Sequence, residues 1–141
     1  MSPRTGGRWL FHRILGRMVP YTGALGARVE ELSPGRARVR LDDRRGVRNH
    51  LRSIHAVALV NLGEMATGLA TLTALPPGAR GIVTELSARY HTKARGRIEA
   101  LCQMERELPG TGTVEAVARI TDGAGREVAT VTARWTLGSA P

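Results

Sequence analysis

Residues 56–75 read AVALVNLGEMATGLATLTAL, and this run decides the fold. It carries one charge, Glu64, with Asn61 as the other strongly polar group, and Pro76-Pro77-Gly78 closes it. The length would just cross a bilayer. Glu64, Asn61, Gly63, Gly68 and the threonines make that crossing expensive, and strand-like sequence resumes directly beyond the prolines, so no membrane span is expected. A helix apolar around most of its circumference needs cover on nearly every side.

The flanking sequence supplies that cover. Downstream, Ile82, Thr84, Leu86, Ala88 and Tyr90 alternate with Val83, Glu85, Ser87, Arg89 and His91. Ile98, Ala100, Cys102 and Met104 then alternate with polar neighbours, as do Val114, Ala116, Ala118 and Ile120, and again Ala129, Val131, Ala133, Trp135 and Leu137. Short connections marked by Gly96, Pro109-Gly110 and Asp122-Gly123-Ala124-Gly125 fit antiparallel neighbours. Upstream, Ala37, Val39 and Leu41 alternate with Arg36, Arg38, Arg40 and Asp42, and the turn Ser33-Pro34-Gly35 joins them to an imperfect partner at Ala27 and Val29. Residues 8–19 form an amphipathic pattern, read as an extra N-terminal helix ended by Pro20.

Hairpin, loop, long buried helix and four strands together predict an α+β domain spanning residues 1–141. In it one antiparallel sheet curls around the helix at 56–75, which is the hotdog fold.

Lys+Arg number 21 against 12 Asp+Glu, a net charge of +9. Residues 1–55 hold 12 arginines and four acids, whereas the remainder is nearly balanced. A basic surface attracts polyanions. Aromatics are only 4%, and neither a helix-turn-helix pattern nor an aromatic strand interleaved with arginine is present, so no nucleic-acid partner is expected. One cysteine excludes a disulfide framework and a multi-cysteine zinc site. Cys102 lies on the apolar side of its strand and reads as packing. His12 and His91 lack partners at metal-ligand spacing, so no metal is expected. Gly110-Thr111-Gly112 reads as a hairpin turn, not a phosphate loop, and no cofactor is expected. The first 25 residues contain no secretory pattern, from which a cytoplasmic location is expected.

Glu64 is the residue that needs explaining. An ionised carboxylate among Leu62, Gly63, Met65 and Ala66 requires a partner, a shifted proton affinity or solvent in a cleft. It is either a satisfied structural acid or a base at the floor of a site. His55 falls at the start of the helix, where the first N–H groups, those of Ala56 and Val57, point outward from the positive end of the dipole. Such donors stabilise an oxyanion. Asn49, in the preceding loop, can orient a water or a carbonyl. An acid, an amide and a helix N-terminus suit hydrolysis of an activated acyl group.

The run Asn49-His50-Leu51-Arg52-Ser53-Ile54-His55, followed by Glu64, resembles the signature of PaaI-like acyl-CoA thioesterases of the hotdog superfamily. In that family an Asn, a His six positions on and an Asp or Glu nine further make the active-site face. The likeness extends to the segment Arg89–Ala94 and the turn at Gly96, and it is closest to an uncharacterised branch of the superfamily. It implies Glu64 as general base or nucleophile, Asn49 positioning water or substrate, His55 holding the thioester, and the amide of Ala56 polarising its carbonyl. It also implies an acyl-CoA substrate, a homodimer or homotetramer with sites between subunits, and substrate contacts from Arg89, Lys93, Arg95, Arg97, Met65 and Gly68. One departure stands out. The family typically has two glycines after the histidine, whereas this chain has Ala56-Val57, whose side chains narrow the approach to the backbone.

Two other readings use the same residues. His50 precedes Glu64 by the fourteen positions found in hotdog hydratases and dehydratases, but the intervening prolines and glycine of those enzymes are missing. A catalytically weak hotdog protein would use Arg44, Arg45, Arg48 and Arg52 to bind acyl-CoA or another anionic partner.

Overall fold

The computed structural model describes residues 26–139; the helix expected at 8–19 lies outside them. Strands β1 (Arg28–Ser33) and β2 (Arg36–Leu41) form a hairpin about Pro34-Gly35. A single 3-10 turn (Arg45–Val47) and a loop lead to helix α1 (Ala56–Thr73). Strands β3 (Ala79–Tyr90), β4 (Ile98–Gln103), β5 (Gly112–Asp122) and β6 (Glu127–Ser139) follow. All pairings are antiparallel, in the order β1-β2-β4-β5-β6-β3, and α1 touches all six strands. The sheet curls around the helix, as the hotdog reading expects.

The core lies between the concave face of the sheet and α1. Ala37, Val39 and Leu41 meet Ile98, Ala100 and Cys102, and Ile120, Val131 and Ala133 continue the layer, all fully buried. Burial pushes the Cys102 thiol up to about 11, which leaves it an unreactive packing group at neutral pH. Two glycines bring α1 unusually close to β6. A Cβ at Gly63 would fall 2.4 Å from Val131, and one at Gly68 would fall 2.9 Å from the Trp135 ring. α1 is the one helix among the described residues long and apolar enough to cross a membrane, and 67% of it is buried in the protein.

The C-terminal end of the helix is pinned by a side chain. Thr73 Oγ1 donates to Leu69 O (2.8 Å) and accepts from the N–H of Gly35 in the β1–β2 turn (3.2 Å). The helix therefore stops at Thr73, two residues before the position predicted from composition. Gly35 is required on two counts: its φ is +78°, and a Cβ there would fall 2.3 Å from Glu105 O.

On the convex face the hairpin arginines are neutralised. Arg36 and Arg38 pair with Glu31 (3.3 and 3.2 Å), and Arg40 pairs with Glu30 (2.9 Å).

The alternation expected across residues 82–90 breaks in the middle. A bulge between Val83 and Glu85 shifts the register against β6, so Val83 faces Trp135 before it and Leu86 faces Ala133 after it. Ile82 consequently points away from the helix, 65% exposed, and does not share a face with Leu86 and Tyr90.

Candidate active site

The loop before α1 is built around Asn49. Its Oδ1 accepts from Leu51 N–H (2.9 Å), Ser53 N–H (3.2 Å) and Ser53 Oγ (3.2 Å), while Asn49 N–H donates to Ser53 O (2.8 Å). The Oδ1 is thus occupied in folding the loop, and only the Nδ2 amide remains to meet a ligand. Arg52 adopts φ +59°, the left-handed region that costs a non-glycine residue about 1 kcal/mol or more.

Two neighbours clamp this loop. His55 N–H donates to Val47 O (2.8 Å) and Ile54 N–H to Ala94 O (2.7 Å). Asp43 accepts from Arg48 Nε (2.6 Å) and Gly96 N–H (2.8 Å). Burial works to raise the Asp43 carboxyl, but these two donors outweigh it and hold the group below its ordinary range.

His55 is the N-cap of α1, and its Nδ1 accepts from Val57 N–H at 3.1 Å. This corrects the expectation of two outward donors: the Val57 amide is engaged, and the Ala56 amide alone has no acceptor among the described residues. Ala56 and Val57 are both exposed. Sequence reasoning gave no role to Tyr90, whose hydroxyl reaches from the end of β3 to donate to Ala56 O at 3.1 Å.

Glu64 is partly exposed, and no hydrogen bond or ion pair engages its carboxylate among the described residues. The Glu64 side chain instead opens partly to solvent. Its backbone is fixed from below: Trp135 Nε1–H donates to Thr67 Oγ1 (3.3 Å), which donates to Glu64 O (3.1 Å). Neither Trp135 nor Thr67 was singled out from the sequence, because their contact joins residues 68 positions apart. Leu86 stands opposite Ala133, between Val131, which packs on Gly63, and Trp135, which packs on Gly68. Leu86 is therefore level with the turn carrying Glu64.

One chain does not gather the candidates into one site. Ala56 and Glu64 are eight residues apart on α1, about 12 Å along its axis at 1.5 Å per residue. An attacking base and an oxyanion donor must both lie within about 3 Å of the same reacting group. Other candidates are also redistributed. Met65 is buried in the core and Gly68 lies under Trp135. Arg97 pairs with Asp42 (3.4 Å), whereas Arg89, Lys93 and Arg95 are exposed without a partner among the described residues. Arg45 and Arg52, in the loop clamped against them, are likewise exposed and unpaired among those residues. A cavity of about 910 Å³ between Pro34, Thr73–Pro76 and Glu105–Leu108 lies at the other end of α1 and does not include Glu64.

A family model matches residues 7–137. The chain belongs to that family, described as a domain of unknown function, DUF4442. No curated protein matches the sequence. Among solved structures, PA5026 from Pseudomonas aeruginosa, described as a protein of unknown function and probable thioesterase, is 27% identical, with a TM-score of 0.82 over 92% of this chain and 95% of that one. A thioesterase family protein from Silicibacter pomeroyi superposes with a TM-score of 0.81 over 95% of this chain and 100% of that one, at 22% identity. A point mutant of the phenylacetic acid degradation protein PaaI from Thermus thermophilus gives 0.72 at 24% identity, over 83% of this chain and 97% of that one. This DUF4442 protein thus has the hotdog fold that these structures share.

Proposed function

We propose that the protein hydrolyses an acyl-CoA thioester in a site completed by a second copy of itself, with Glu64 as its carboxylate. The observation that carries this is Glu64 itself, an acid with no partner among the described residues, held on an apolar helix beside an unpaired sheet edge. β3 is a 12-residue edge strand on which Ile82, Leu86 and Tyr90 remain 65%, 37% and 50% exposed. A long apolar edge is a template for another strand. Two copies joined there about a two-fold axis run their helices in opposite directions, which carries the N-terminal loop of one toward the middle of the other. With the two-fold axis level with Val60, midway between the two, Glu64 of one copy and the Ala56 amide of the other flank one thioester.

In this reading the Glu64 carboxylate takes a proton from water as the water adds to the thioester carbon, or attacks that carbon directly. The negative charge that develops on the carbonyl oxygen falls to the free Ala56 N–H. On the water route, collapse of the tetrahedral intermediate breaks the C–S bond and releases the acid, with the proton held by Glu64 passing to the departing thiolate. On the direct route the thiolate leaves first, and the acyl group stays on Glu64 as an anhydride until water hydrolyses it and frees the acid. Asn49 Nδ2 and His55 orient the thioester. Arg89, Lys93 and Arg95, joined by Arg45 and Arg52, all without a partner among the described residues, offer positive charge to the coenzyme A phosphates.

Mixing two inactive variants tests this. Glu64→Gln and Asn49→Ala each lose hydrolysis of a panel of acyl-CoAs. Unfolded and refolded together in equal amounts, they regain about a quarter of wild-type activity, because half the dimers are mixed and each carries one intact site. A mixture as inactive as its components, from a wild type that does hydrolyse thioesters, rejects the shared site. A wild type with no turnover on any thioester rejects the hydrolase.

A further inference from the structure

We propose that Tyr90 is a positioning residue that acts on the site through a peptide bond, setting the tautomer and orientation of His55; the link to catalysis rests on the thioesterase reading above. The Ala56–Val57 peptide is engaged at both ends. Tyr90 O–H donates to its oxygen at 3.1 Å, and its N–H, on Val57, donates to His55 Nδ1 at 3.1 Å.

Chemistry fixes the direction of each bond. A carbonyl oxygen only accepts and an amide N–H only donates, so the phenol must be the first donor and Nδ1 the last acceptor. Nδ1 therefore carries no proton, and the proton of the neutral ring is on Nε2, the atom left to face a ligand. A peptide that accepts at oxygen is a better donor at nitrogen, so the two bonds strengthen one another. Tyr90 thereby holds His55 as an Nε2–H donor, suited to the carbonyl of a bound thioester or to the departing sulfur. It does so from the last residue of β3, so the edge strand and the helix N-terminus are placed relative to each other by the same bond.

The arrangement also explains why an aromatic residue half open to solvent has its ring against the helix and not turned outward. The oxygen of Ala56, at the first helical position, has one lone pair for the helix bond one turn on and a second for Tyr90. Loss of the phenol leaves no buried group unsatisfied, because the site is exposed, so Tyr90→Phe folds.

The test is a double-mutant cycle with a spectroscopic arm. Tyr90→Phe is expected to lower kcat about 3- to 10-fold with KM changed less than about twofold, as one lost hydrogen bond would. The same change in a His55→Ala background is expected to cost nothing further. An equal loss in both backgrounds shows that Tyr90 does not act through His55 and overturns the proposal. Independently of any activity, nitrogen-15 NMR should show His55 with its proton on Nε2 and a Val57 amide proton that moves upfield in Tyr90→Phe. A Val57 amide and His55 ring unchanged in that variant overturn the relay. Absence of thioesterase activity in the wild type would reject the proposed function and leave the NMR result to decide the relay.

Discussion

β4 and β3 are strands of one sheet with opposite surroundings. β4 lies between β2 and β5, and its Ile98, Ala100 and Cys102 are fully buried beneath α1. β3 is twice as long, 12 residues against 6, yet its apolar side chains Ile82 and Leu86 remain 65% and 37% exposed. The helix repeats the contrast. Gly63 and Gly68 press it against β6, whereas Val57 and Leu72 are 54% and 46% exposed. Hydrophobic surface is therefore closed on the flank of α1 that carries Gly63 and more open along the face of Val57 and Leu72, where Glu64 is partly exposed although most of its helix is buried. The open flank is where a charged group can work, because a carboxylate there keeps its water.

Substitutions on the two flanks should differ most sharply in stability. On the closed flank, Gly63→Val places three extra carbons where even one would fall 2.4 Å from Val131. A glycine-to-alanine change in a helix interior gains about 1 kcal/mol, but overpacking of a dense core costs about 1–3 kcal/mol per methyl-scale insertion. Crowding wins, and we expect a loss of about 3 kcal/mol or more in urea unfolding. On the open flank, Leu86→Asp should cost the isolated fold less than about 1 kcal/mol, since that side chain is already 37% exposed. Sedimentation should nevertheless show it separating two paired copies. Comparable destabilisation by both substitutions would erase the distinction between the flanks.

The closed flank was legible in the sequence. Period-two alternation at 37–41, 98–104 and 129–137 identifies a set of residues most of which are in fact buried, and an apolar run from 56 stopped by prolines has one simple way to be covered. The open flank was harder to read for a physical reason. A bulge at Val83/Glu85 inverts the face of half a strand without leaving a composition mark, so Ile82 reads as core although it is solvent-facing. At the candidate site, residue types and spacing picked out Asn49, His55 and Glu64. The details that govern their chemistry are bonds: Asn49 Oδ1 consumed by its own loop, His55 Nδ1 by Val57, Arg97 by Asp42. Tyr90 is 34 residues from the carbonyl it binds, and no periodicity marks that pair.

A smaller effect probes how the open flank is tethered. Asp43 joins the loop before α1 to the turn at Gly96, and its carboxyl is held below the ordinary value of 3.8. A depressed acid stabilises the fold at pH values above its unfolded value and loses that contribution as pH falls through its folded one. The wild type should therefore exceed Asp43→Asn in thermal midpoint at pH 6–7, and the gap should narrow as the pH falls below 3.8 and on through the lowered folded value. A gap independent of pH would assign the tether to packing instead of charge.

The gentlest perturbation bears on Ala56-Val57, where the resemblance to PaaI-like thioesterases would place two glycines. The Ala56 amide has no acceptor among the described residues, but the neighbouring Val57 carries a branched side chain at the mouth of the same helix end, 54% exposed. Replacing it by glycine removes an exposed side chain at a cost of about 0.5–1 kcal/mol in helix propensity. If the side chain limits how closely a thioester approaches the amide, Val57→Gly should raise kcat/KM about two- to fivefold, a gain of under about 1 kcal/mol in transition-state binding. The change should appear mainly in kcat, because the amide contacts the oxygen most strongly as charge develops on it. A drop in kcat instead would mean that the valine seats the substrate, and that a branched side chain at this helix end assists the approach to the amide where bulk is expected to hinder it.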